Sequence, residues 1–107
     1  MTVTSSPERC RTMADVRAGV DQIDIDLVAL LAQRFAFIRA AARIKQERDA
    51  VRDENRKTRV IDNVRAQARA AGISETLVAA LWEQLVEGSI AYELEHFDAL
   101  RREASAR

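Results

Sequence analysis

From Thr12 to Glu47 the chain runs without a proline and with a single glycine, Gly19. Apolar residues fall at Val16, Val20, Ile23, Leu27, Leu30, Ile38 and Ala41, in steps of mostly three and four, the period of an α-helix. A second row, Leu27, Leu31, Phe35, Ile38 and Ala42, runs beside the first, so the expected helix carries a wide apolar face. About 35 residues at about 1.5 Å each make a rod of roughly 50 Å. A compact chain of this length has a radius of gyration of only about 13 Å. The rod overhangs anything its own chain can fold against it. The pattern therefore predicts an intertwined homodimer, with stability inseparable from association.

The remainder is also helical in pattern. The charged run Glu47–Glu54 reads as a connection anchored by Val51. A second helix is expected from Asn55 to Ala71, with Val60, Ile61, Val64 and Ala68 inward and Gly72 as its C-cap. Ser74 is a candidate N-cap, with Glu75 in the first turn. The third helix then carries Leu77, Val78, Leu81, Trp82, Leu85, Val86, Ile90, Phe97 and Leu100. With 3 Gly, 1 Pro and 5% aromatics, the composition lacks the turn formers of a sandwich or barrel. The expected class is all-α: three helices, a very long first one, in an intertwined dimeric bundle. Residues 1–12 read as a flexible arm and 13–103 as a single domain.

Charge limits the partners. Lys+Arg and Asp+Glu balance at 17 each, so no global field favours nucleic acid or an anionic membrane, and neither is expected as a partner. The first ten residues lack an apolar signal-like stretch and no run reaches membrane-spanning length, which points to the cytoplasm. Cys10, alone and without metal-ligand spacing, reads as an inert thiol, and His96 as a helix-flank residue. No phosphate loop, nucleophile elbow or metal cluster is apparent, and no cofactor is expected.

The informative residues are polar ones in apolar rows. Extending the first helix's row past Leu30 places Arg34 and Lys45 where aliphatic residues belong. Eleven residues apart, they differ by only about 20° around the axis and lie about 16 Å apart along it. On the third helix the row Trp82, Val86, Ile90, Glu93, Phe97, Leu100 holds one carboxylate, with Ser89 a turn before it. Arg56, four before Val60 and three after Asp53, reads as inward at the start of the second helix. Glu93 can pair with Lys45 or Arg34, and Asp53 with Arg56, as an internal salt-bridge network. The sum still leaves excess positive charge facing a dry interior, which is costly unless an anion settles it.

These residues resemble a family. The run ADVRAGVDQIDIDLVALLAQRFAFIRAAARIK resembles the first helix of the all-helical chorismate mutases, with Arg17, Asp24, Arg34 and Lys45 in that family's order and spacing. VRDENRKTRV is similar to its loop into the second helix, and GISETLVAALWEQLVEGSIAYE to its third. The N-terminal Pro-Glu-Arg-Cys is similar to the related isochorismate pyruvate lyases.

The resemblance implies a small dicarboxylate substrate, chorismate or isochorismate, and active sites shared across a homodimer. Arg17 would reach into the partner's site, while Arg34 and Arg56 would grip substrate carboxylates from within the same subunit. Lys45 would contact a carboxylate and the ether oxygen, and Ser89 would orient the substrate. Glu93 would stand opposite that oxygen and must carry a proton to donate to it. Lys57 departs from the family, whose mutases usually show Glu there to hold the ring hydroxyl; it points to solvent or to a different ring substituent. Asp53 with Arg56 favours a mutase over an isochorismate pyruvate lyase or an aminodeoxychorismate mutase. A non-enzymatic dimerisation module, its inward charges only setting register, is the remaining alternative.

Overall fold

The computed structural model describes residues 6–106 and is helical throughout: α1 spans Met13–Ile44, α2 Glu54–Ala71 and α3 Glu75–Ser105. Residues 1–5 of the expected arm lie outside the described residues; the rest of it contains a 3-10 turn over Pro7–Arg9. Among the described residues no helix is long and apolar enough to cross a membrane.

Each helix begins where a side chain captures its free amides. At α1, Thr12 Oγ1 accepts from the amide of Asp15 at 3.1 Å, and Asp15 Oδ2 accepts from the amides of Arg11 and Thr12 at 3.0 and 3.2 Å. That reciprocal box holds the Asp15 carboxyl below its usual range, chiefly through the Arg11 amide. Asp53 caps α2, its side chain accepting from the amide of Arg56, and Ser74 caps α3, accepting from Leu77. Gly72, at φ 75°, closes α2 in the left-handed conformation. The Ile73 amide bonds back to Ala68 at 3.0 Å, as in a Schellman ending.

The chain divides within α1 into two units, residues 1–36 and 37–107. In the first unit α1 presents apolar side chains to solvent along much of its length. Val20, Ile23, Leu27 and Leu30 are all more than half exposed. The expected apolar face exists, and in the single chain it is uncovered.

The second unit contains the packed core. Ala42, in the last turns of α1, clusters with Val51, Val86, Ile90 and Phe97, flanked by Val60, Ile61, Leu94 and Leu100. A smaller cluster joins Val64, Ala68 and Val78, and Trp82 packs against both. Val51 is the anchor its sequence position suggested. The expected row of α3, Trp82, Val86, Ile90, Glu93, Phe97 and Leu100, does face the core, whereas Leu77 and Leu81, also carried by this helix, are 60% and 55% exposed. The buried stripe runs through Val78, Val86, Ser89, Ile90, Glu93 and Phe97, which leaves Leu77 and Leu81 about 100° to one side of Val78 and Trp82.

α1 also stops earlier than its pattern suggests, at Ile44 rather than Glu47. Arg101 of α3 donates to the Lys45 carbonyl, a group that a continuing helix would bond internally. Beyond it, Arg48 in the 3-10 turn Arg48–Ala50 makes a two-point contact with Asp98 at 2.9 and 3.2 Å. The connection is therefore pinned to α3 at Lys45, just past the end of α1, and again at Arg48, where its turn begins.

Candidate functional site

Lys45 follows the last residue of α1, with its backbone fixed by Arg101, whose guanidinium lies 3.8 Å over the Phe97 ring. Its ammonium stands 2.8 Å from Glu93 Oε2; the two side chains are 29% and 6% exposed. That oxygen is buried and lacks an aligned hydrogen bond. The contact is thus a close ion pair off the hydrogen-bond axis, leaving a carboxylate oxygen under-satisfied in the core. One turn earlier, buried Ser89 donates its hydroxyl to the Leu85 carbonyl at 2.7 Å. The packing of α3 against the last turns of α1 and the connection after it therefore brings Lys45 to Glu93, with Ser89 buried one turn before Glu93 on the same helix.

The second group gathers at the start of α2 and differs from expectation. Asp53 does not pair with the Arg56 side chain; its Oδ1 accepts from the Arg56 backbone amide at 2.9 Å, as the helix cap. Arg56 is not inward but exposed. The side chain that opens the inward row is Lys57, followed by Ile61, Val64 and Ala68 in steps of four, three and four. Lys57 does not reach into solvent: only 18% exposed, it donates to Glu83 and Glu87 of α3, each at 2.8 Å.

Glu87 also accepts from Arg52, at 3.0 Å from Nη1 and 2.7 Å from Nη2. These bonds, Arg52's first and Lys57's next, draw the Glu87 carboxyl down to about 2. The same contacts raise Lys57, Glu83 contributing most, and raise Arg52. Sequence reasoning missed Arg52, Glu83 and Glu87. The signal was available: two glutamates four apart on α3 face an apolar-spaced lysine on α2.

In the first unit, Arg17 is exposed and Arg34 half-buried, both on α1. His96 lies half-buried with its ring 4.7 Å from that of Tyr92, whose hydroxyl accepts from Arg39 at 2.8 Å. An open groove lined by Asp98, Arg101, Arg102, Ser105 and Ala106 follows the end of α3 and does not include Lys45 or Glu93.

Residues 16–94 match chorismate mutase type II, and the chain belongs to that family of enzymes. It is also similar to the isochorismate pyruvate lyase of Pseudomonas aeruginosa, 28% identical over 96 residues that cover 90% of this chain and 95% of the relative. The all-helical fold and the family expected from the sequence both hold.

Proposed function

We propose that the protein is a chorismate mutase, converting chorismate to prephenate. The reaction is intramolecular: one ether C–O bond breaks as one C–C bond forms, and the ether oxygen becomes a carbonyl. It needs no nucleophile and no external base. The protein has to hold the chair-like conformer and stabilise negative charge growing on the departing oxygen. The observation that carries this reading is the Lys45 ammonium, fixed at its backbone and set against the buried Glu93 oxygen.

In this reading Lys45 turns one donor to the ether oxygen, and Glu93 stands opposite that oxygen beside it. Arg34 and Arg56 grip the two carboxylates, joined by Arg17 from a second copy of the chain. Asp53 borders the ring, and Ser89 orients it once its hydroxyl leaves the Leu85 carbonyl. The homodimer belongs to the same proposal. The uncovered apolar face of α1 supports it, since exposed apolar runs of this extent are characteristic of association surfaces. Leu27→Asp is expected to yield monomers in sedimentation and to remove the concentration dependence of the melting temperature.

The lyase relative favours a second reading, cleavage of isochorismate to salicylate and pyruvate. It uses the same carboxylate grip and the same departing ether oxygen. Incubating the purified protein with each substrate separately decides between them. Prephenate from chorismate is the expected product; salicylate and pyruvate from isochorismate, with chorismate untouched, would establish the second reading instead.

A further inference from the structure

The start of α2 presents the two residues proposed to meet the substrate, Asp53 and Arg56, and both side chains are exposed. A surface helix end frays readily, and an arginine on a fraying turn is a poor clamp for a carboxylate. The residues immediately outside this pair are Arg52 and Lys57, and both donate to one carboxylate on another helix, Glu87. Glu87 therefore touches the chain on either side of the Asp53–Arg56 turn and lies two residues before Ser89.

We propose that Glu87 is a positioning residue, clasping the first turn of α2 to α3 through Arg52 and Lys57 so that Arg56 is held ready for a substrate carboxylate. This rests on the assignment of Asp53 and Arg56 to the substrate's grip. Lys57 then has a different task from a ring-contacting residue: its ammonium is engaged by Glu83 and Glu87 and serves the clasp. Arg52 makes the clasp directional, since its fork meets both oxygens of Glu87 while Nη1 also reaches Glu54 at 3.0 Å. The depressed Glu87 carboxyl is consistent with a group ionised throughout the neutral range.

The test uses the full chain and whichever of chorismate or isochorismate the wild type turns over. Glu87→Gln keeps the size and removes the charge. It is expected to raise KM about fivefold while kcat stays within about twofold, because what is lost is ordering before binding. Glu87→Asp, which keeps the charge, should fall between the two. In an Arg56→Gln background the same substitution should move KM less than about twofold, since the group it positions is gone. Backbone amide exchange gives an independent reading: in Glu87→Gln the Arg56 and Lys57 amides should exchange about fivefold faster, with Val64 and Ala68 unchanged.

An unchanged KM, or a full loss persisting in the Arg56→Gln background, would overturn the positioning role. Should the wild type turn over neither substrate, the functional reading fails on its own. The clasp is then decided by exchange, and unaltered Arg56 and Lys57 amides would refute it.

Discussion

Glu87 and Glu93 lie on the same helix, six residues apart, and each holds a lysine, yet they are opposites. Glu87, with a 39% exposed side chain, is bonded by Arg52 and Lys57, and its lysine is shared with a second carboxylate. Glu93, 6% exposed, meets one ammonium off axis, and that lysine is 29% open. The outer cluster has more partners than it needs and can tolerate losing one. The inner pair is closely placed and incompletely satisfied, the condition in which an arriving anion or oxygen finds a donor available. The difference teaches that two ion pairs on one helix are distinguished by what remains unbonded, not by how many partners are present.

Breaking the inner pair should have the largest consequence. Lys45→Met is expected to lower kcat/KM by about 10³-fold, the order seen when a donor to a developing oxyanion is removed. It also leaves Glu93 buried without its counter-ion, a loss of roughly 3–5 kcal/mol if the carboxylate stays charged. The double variant Lys45→Met/Glu93→Leu should regain stability in denaturant melts and regain no turnover. Recovered turnover in the double variant would show that the pair is architectural, like the outer cluster.

A smaller effect sharpens the same contrast. Glu93→Gln carries a permanent hydrogen-bond donor in the same place and Glu93→Leu carries none, so kcat/KM should fall less than about tenfold in the first and by about 10²-fold in the second. Equal losses in the two variants would remove Glu93 from the proposed chemistry.

Much of the inner pair was legible in the sequence because a helical period makes a charged residue in an apolar row conspicuous. Lys45 and Glu93 interrupt such rows, and the structure sets them against each other. The start of α2 was less legible. Arg56 and Lys57 are adjacent, so assigning the inward row through Arg56 rather than Lys57 rotates the reading by about 100°. Ile61, Val64 and Ala68 fix the row at Lys57 only once Val60 is recognised as lying beside it. Asp53 was misread for a different reason: a carboxylate three residues before an arginine suits both a salt bridge and an N-cap, and the helix start decides for the cap. The end of α1 depended on Arg101, more than fifty residues away, which no local pattern contains. The exposure of Leu77 and Leu81 likewise follows from which stripe of α3 faces α2.

The outer cluster should reveal itself in acid. Bonding from Arg52 and Lys57 lowers the Glu87 carboxyl from an ordinary value of 4.5 to about 2. A carboxylate depressed on folding stabilises the folded state above its unfolded value, and that contribution drains away as pH falls through the folded one. Glu75 and Asp98 are also lowered, by Arg69 and Arg48 respectively, so the wild type loses stability in this range through several groups at once. The comparison with Glu87→Gln isolates one of them. The wild type should melt higher than the variant by a constant margin above pH 4.5, the margin should narrow between 4.5 and about 2, and the two should converge below that. Melting followed by circular dichroism at half-unit pH intervals measures it. A margin that stays constant down to pH 2 would mean that Glu87 contributes through shape rather than charge, and that the two carboxylates of α3 are less different than their bonding indicates.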